Sequence, residues 1–253
     1  MGEVDGDEGN AMNVSEAFSE PGRLHAAYNF DLLEWSGLTV LELKEAISNA
    51  IEVFNGSGRL CFAFSNHDVP RSATRQLEPL GISVDKQDDL QLLLLQLETS
   101  LIGSTCVYQG EELGLGDVTD IPLDKMKDPW GINFHPEFLG RDTCRTPMVW
   151  DKKQPMGGFT SANQTWLPIA EVHLEKAGLG MAKNTKSIYG EFSKFLQWRK
   201  KQSAMMHANI MSKVSGGPKE IIFNRVSNYQ KLRCKFDFEK VKATFEEVKH
   251  GTS

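Results

Sequence analysis

Asn66, His67, Asp68 and Arg71 bring an amide, an imidazole, a carboxylate and a guanidinium into one short stretch. A neutral imidazole can donate one proton and accept another. A carboxylate beside it can carry charge, and a guanidinium offers a planar fork of donors. Such a set suits acid–base chemistry or the gripping of a polar ligand. The residues just before it, Leu60 to Phe64, form an apolar, aromatic run. That run reads as a buried strand, and Pro70 stops its continuation. A buried strand that empties into such a cluster is how an α/β barrel builds a site at its C-terminal rim. The plainer alternative is a strand end whose Asn, His and Asp cap the next loop.

The elements that must position this cluster are legible on both sides. Val40, Leu43, Ile47, Ala50, Ile51 and Phe54 recur at helical spacing and predict a helix over 39–54. Thr39 is its expected N-cap, with Glu42 as capping-box partner. Asn55-Gly56-Ser57-Gly58 ends it. After the strand, the leucine-rich stretch 85–101 predicts a well-buried helix, broken by Gly103-Ser104. Residues 105–109 read as a further strand, and 23–33 as a short strand with a polar end. Strands alternating with helices, without hairpin signals, predict parallel pairing.

Residues 115–182 lack periodicity and are rich in Pro, Gly and Trp, as functional loops are. Residues 188–206 return to helix. From 220 to 238, alternating apolar residues flank Ser227-Asn228 and predict a β-hairpin. Residues 1–22 look like an acidic, Gly- and Ser-rich loop, and the charged stretch 240–253 leaves the strand pattern.

The formal charge of −6 argues against a nucleic-acid partner or an anionic membrane surface. No apolar run is long enough to span a bilayer. The first residues are acidic and do not resemble a signal peptide. The four cysteines are widely spaced without a CxxC pair, which predicts reduced thiols in the cytoplasm. The six histidines are scattered, so no metal site is expected.

Asn66-His67-Asp68 after an aromatic strand resembles the seventh-strand motif of the α-amylase family of glycoside hydrolases, and of its α-glucosidase and oligo-1,6-glucosidase branch. Thr105-Cys-Val-Tyr-Gln-Gly-Glu-Glu-Leu-Gly114 is similar to the eighth-strand motif. Gly140-Arg-Asp-Thr-Cys-Arg-Thr-Pro-Met-Val-Trp-Asp151 is similar to the loop that follows it. The resemblance implies an α/β fold: the second half of a (β/α)8 TIM barrel over 1–207, then the start of a small antiparallel β-domain over 208–253.

The resemblance also implies roles. Glu3, in the pair Gly2-Glu3, falls where the general acid lies. Asp68 matches the carboxylate that grips ring hydroxyls and stabilises the transition state. His67 and Arg141 would contact the same sugar, with Phe30 and Arg71 as further substrate contacts. For Phe30, a plain core aromatic is the alternative; for Arg141, a loop ion pair with Asp142 or Glu137. Glu111-Glu112 is read as structural. No cofactor is implied. The family nucleophile, an Asp in a Gly-Phe-Arg-x-Asp motif on the fourth strand, has no counterpart in this sequence. The implied activity is retaining hydrolysis of terminal α-linked glucose from a small oligosaccharide or disaccharide, with the missing N-terminal half of the barrel as partner. The alternative is a non-catalytic sugar-binding or interaction protein on the same scaffold.

Overall fold

The computed structural model describes residues 2–4, 11–54, 60–208 and 210–248. The chain runs α1 (Ala11–Phe18), β1 (Ala27–Tyr28), α2 (Val40–Phe54), β2 (Leu60–Phe62), α3 (Ser72–Arg75), α4 (Leu77–Leu80), α5 (Gln87–Glu98) and β3 (Ser104–Thr105). Short helices α6 (Pro129–Phe134), α7 (Glu171–Leu174) and α8 (Gly178–Lys183) punctuate the long loop. Then come α9 (Ile188–Arg199), α10 (Ser203–Met206), β4 (Ile210–Met211), β5 (Glu220–Val226), β6 (Lys231–Asp237) and β7 (Lys242–Glu247).

β1, β2 and β3 form a parallel sheet in that order, with α2 and α5 as the crossovers. Gly2 adds a parallel bridge to Ala27 on the outer side of β1. The Gly2 N–H donates to the Ala26 carbonyl at 3.0 Å, and its carbonyl accepts from Tyr28 at 3.3 Å. The second sheet is antiparallel, in the order β4-β5-β6-β7. The fold is therefore α/β: a barrel-like parallel segment followed by a small antiparallel sheet.

The local reasons follow the sequence. Thr39 caps α2 reciprocally: its N–H and hydroxyl donate to Glu42 Oε2 at 2.7 Å, and the Glu42 N–H donates to Thr39 Oγ1 at 3.3 Å. Val40, Leu43, Ile47 and Ala50 then face inward. In α5, Leu90, Leu93, Leu94 and Leu97 do the same. These helices, Phe62 and Phe64 share one continuous core with Ile221, Phe223, Leu232, Phe236 and Phe238 of the second sheet. Burying each such side chain contributes about 1.5–3 kcal/mol relative to exposure. Arg225 reinforces the junction from β5. Its Nη1 donates to the carbonyls of Ser100 and Leu101 at 2.7 and 2.6 Å.

Five expectations change. Of the expected strand 23–33, only Ala27–Tyr28 pairs, and Phe30–Leu32 form a 3-10 turn. Within the expected loop 1–22, residues 11–18 are helical, because Met12 packs against the core and Ser15 Oγ reaches the Val4 carbonyl at 3.2 Å. The expected helix over 188–206 is two helices, broken between Arg199 and Ser203. The expected strand 105–109 contributes only its first residue to the ladder. The charged stretch after Lys240 continues the sheet as β7. There Phe245 turns inward to Phe195, Trp198 and Phe236, with ring centroids 5.1, 5.0 and 5.8 Å away, while the charges point out.

Glu98, near the end of α5, is fully buried, and neither carboxyl oxygen has a hydrogen-bond partner among the described residues. Burial, with Glu111 nearby, lifts its pKa well above the ordinary 4.5. The folded chain thus holds a proton that the unfolded chain releases. Stability is greatest below about pH 4.5 for this group and is lost as pH rises. Glu98→Gln is expected to remove that slope. In urea titrations between about pH 5 and 8, the variant should gain on the parent chain as pH increases. Parallel pH profiles would contradict the assignment.

Candidate active site

The site grows from the chain that leaves β2. Asn66 is buried, and its Oδ1 accepts from the backbone N–H of Asp68 at 2.8 Å and of Val69 at 3.2 Å. This turn stops the strand and leaves His67 and Asp68 toward solvent. Capping and site-building are therefore the same event here, shared between neighbouring residues. Behind the turn, the buried Arg75 donates to the carbonyls of Leu32, Phe64 and Pro70 at 3.1, 2.6 and 2.6 Å. These bonds hold both ends of the segment to α3.

Asp68 is the focus of charge. Its Oδ1 accepts from Arg145 Nη2 at 2.7 Å and from Arg141 Nη1 at 3.1 Å. Its Oδ2 lies 3.3 Å from His67 Nε2. Arg145 also donates from Nε to the His67 carbonyl at 2.6 Å, so one guanidinium fixes both residues. The Asp68 side chain remains 40% exposed.

Arg141 is in turn aimed by Asp128. Nη2 and Nε meet the two carboxylate oxygens at 2.8 and 3.1 Å, and the Arg141 backbone N–H adds a third bond at 2.7 Å. The Trp130 ring lies 4.8 Å from the guanidinium carbon. Asp142 holds the other side, accepting the backbone N–H groups of Lys127 and Asp128. The hydrogen bonds from Arg141 push the Asp128 carboxyl down to about 2. The Arg141 partners are thus Asp128 and Asp68 rather than Asp142 or Glu137.

Glu3 follows Gly2 on the strand position beside β1, so it emerges from the sheet with a backbone anchor that the sequence alone does not reveal. It is exposed. Glu3 and Asp68 come from chain segments flanking β1 in the parallel sheet. Phe30 sits in a short 3-10 turn, edge-on to Tyr28 with centroids 6.2 Å apart, and is only partly buried.

The expectation that Arg71 touches substrate is corrected. Its side chain is wholly buried. Nη1 donates to the Gln109 carbonyl at 2.6 Å and Nη2 to the Cys144 carbonyl at 3.0 Å. Two of its donors are engaged by main-chain carbonyls and none of it faces solvent, so it braces the site from behind. Glu111 is structural as expected, accepting from the Ser65 and Ser72 hydroxyls at 2.7 and 2.8 Å. Glu111 and Glu112 share one 3-10 turn.

Two residues escape sequence reasoning. Arg145 carries a signal, four positions after Arg141 in the same loop motif. Asp128 has none, since it sits in an aperiodic stretch. Beside the charged array lies a cavity of about 530 Å3, walled by His67, Arg145, Tyr108, Trp150, Phe159 and Trp166. A held carboxylate with charged donors behind it and aromatic walls beside it can bind vicinal hydroxyls or stabilise a cationic ring. Among the described residues, no three of His, Cys, Asp and Glu group as metal ligands, and no helix is long and apolar enough to cross a membrane.

Residues 11–208 match the family model for the alpha amylase catalytic domain. The chain belongs to the alpha-amylase family. It is 34% identical over 247 residues to a probable alpha-glucosidase of Rhizobium meliloti (strain 1021), covering 97% of this chain and 43% of that protein. It is 27% identical to an oligo-1,6-glucosidase of Halalkalibacterium halodurans, covering 92% of this chain and 44% of the relative. The solved structure of the alpha-glucosyl transfer enzyme XgtA superimposes with a TM-score of 0.80 at 30% identity, over 94% of this chain and 42% of that one. The chain spans less than half the length of these relatives.

Asp128→Asn tests the electrostatic brace. The folded Asp128 carboxyl is depressed from 3.8 to about 2, so its contribution is present above the higher value and lost as pH falls through the lower. The variant is expected to lose about 1–3 kcal/mol at neutral pH, measured by urea unfolding. It should also lack the parent's added acid sensitivity between those two values. An unchanged acid limb would show that Arg141 is aimed by something else.

Proposed function

We propose that this chain provides the substrate-gripping and proton-donating part of an α-glucosidase-like retaining hydrolase, acting on terminal α-linked glucose of a small oligosaccharide or disaccharide. The observation that carries this reading is Asp68, partly open to solvent yet fixed by Arg141, Arg145 and His67. In this reading Asp68 accepts hydrogen bonds from adjacent ring hydroxyls, and its charge offsets the oxocarbenium-like transition state. His67 and Arg141 hold the same sugar. Glu3 protonates the leaving oxygen. The names of the relatives, an alpha-glucosidase and oligo-1,6-glucosidases, support the branch.

Retention requires a second carboxylate about 5–5.5 Å from the acid, on the opposite side of the bond. We assign it to the fourth-strand Asp of a complementary barrel portion, because no Gly-Phe-Arg-x-Asp stretch occurs here. Residues 1–207 then form the barrel portion of the chain and 208–253 the start of its β-domain. Four free thiols, at Cys61, Cys106, Cys144 and Cys234, fit a cytoplasmic setting.

The test is reconstitution. Alone, the chain is expected to leave an aryl α-glucoside intact, because in this reading Asp68, His67 and Arg141 bind the sugar while the attacking carboxylate comes from the other portion. Co-expressed with a family N-terminal half carrying the nucleophile, it should gain turnover. Asp68→Asn in that assembly is expected to cost about 3–4 kcal/mol of transition-state stabilisation. The loss should fall on kcat more than on KM. Full kcat in the Asp68→Asn assembly would refute its role; normal activity of the chain alone would refute the division of labour.

A further inference from the structure

A second cavity, of about 800 Å3, shares Trp166 with the cavity beside His67 and Arg145. Its size falls within the roughly 300–1,000 Å3 of small-molecule sites. Trp166 is 51% exposed, and the buried Leu167 lines the same cavity. The polar groups of the wall include the side chains of Gln154, Asn163 and Gln164. Among the described residues, no protein group hydrogen-bonds these three amides. Each amide offers both a donor and an acceptor.

The charges of the wall select against an ionic ligand. Lys125 lies 3.2 Å from Asp124, and Lys152 lies 2.9 Å from Glu175. Lys127 and Glu171, of opposite charge, both line the same wall. What remains is an exposed aromatic residue, apolar lining and uncommitted amides. That is the chemistry that receives a sugar ring, C–H face on the indole and hydroxyls on the amides. The wall also stores strain. Met156 holds φ 52°, in the left-handed region, immediately before Gly157 at φ 59°. A non-glycine residue is disfavoured there, and such strain gathers at ligand-binding segments.

We propose that this cavity is a second saccharide site, distinct from the Asp68 site, which binds a neutral α-glucan segment on Trp166, Gln154, Asn163 and Gln164. The saccharide class rests on the function proposed above; the cavity and its free amides do not.

Calorimetric titration of the whole chain with maltotetraose tests it. The parent chain should bind saturably. Asn163→Ala/Gln164→Ala should weaken binding about tenfold, as expected for two lost hydrogen bonds of roughly 1 kcal/mol or less each. Trp166→Ala should abolish it. With the grip of the Asp68 site removed by Asp68→Asn, a saturable maltotetraose binding event should remain, because Asp68 does not line the second cavity. These exposed loop positions leave the core intact, and near-UV circular dichroism checks the fold of each variant. No binding by the parent, unchanged affinity in the amide variant, loss of binding in Asp68→Asn, or tighter binding of glucose 6-phosphate than of maltotetraose would each overturn the site. If maltotetraose binds as expected while the reconstituted barrel hydrolyses nothing, the proposed function falls and this site stands.

Discussion

The carboxylate of Asp68 cannot be left alone at the end of a strand. Two guanidinium groups and one imidazole converge on it, and each needs its own support. Arg141 is clamped by the buried Asp128, which is seated by Asp142 contacts to the same loop. Arg145 is tied to the His67 carbonyl. The result is an alternating chain of charges, acid to base to acid, running from solvent into the loop. Such arrays matter less as stabilising ion pairs than as a means of fixing orientation. A long, aperiodic loop can then behave as a rigid wall, because its geometry is set by charge rather than by regular secondary structure.

The antiparallel sheet is not an appendage to this arrangement. Phe223 and Phe236 belong to the same core as Leu43 of α2 and Leu94 of α5. Arg225 joins the sheet to the chain just beyond α5 through main-chain carbonyls. The helices that position the strand ends therefore have two apolar neighbours, the parallel strands on one side and β5 and β6 on the other. Their orientation is overdetermined, which is what a site assembled from several strand ends requires.

Much of this arrangement is legible in the amino-acid sequence. The capping box of Thr39 and Glu42, the leucines of α5 and the Ser227-Asn228 hairpin rest on local periodicity and local turn chemistry, and these survive folding unchanged. His67, Asp68 and Arg141 are legible through motifs. What is not legible depends on long-range pairing. Asp128 and Arg141 are thirteen residues apart on an irregular path. The Gly2 anchor depends on a neighbouring strand. Arg71 shows the converse error, since its type suggests a surface contact while its neighbours bury it. β7 is hidden by charge, because Lys242, Glu246 and Glu247 mask an alternation that only the inward Ala243 and Phe245 reveal.

Arg71 has a wider consequence. It grips the main-chain carbonyls of Gln109 and Cys144, and its own backbone N–H is held by Asp117. Carbonyl groups are the same whatever side chain follows them. The two loops on either side are therefore anchored without reference to their own sequence. Side chains facing the cavities can be exchanged while the frame that presents them stays in place. A chain built this way separates the question of what is recognised from the question of whether it folds, and new ligand preferences can be tried one loop residue at a time.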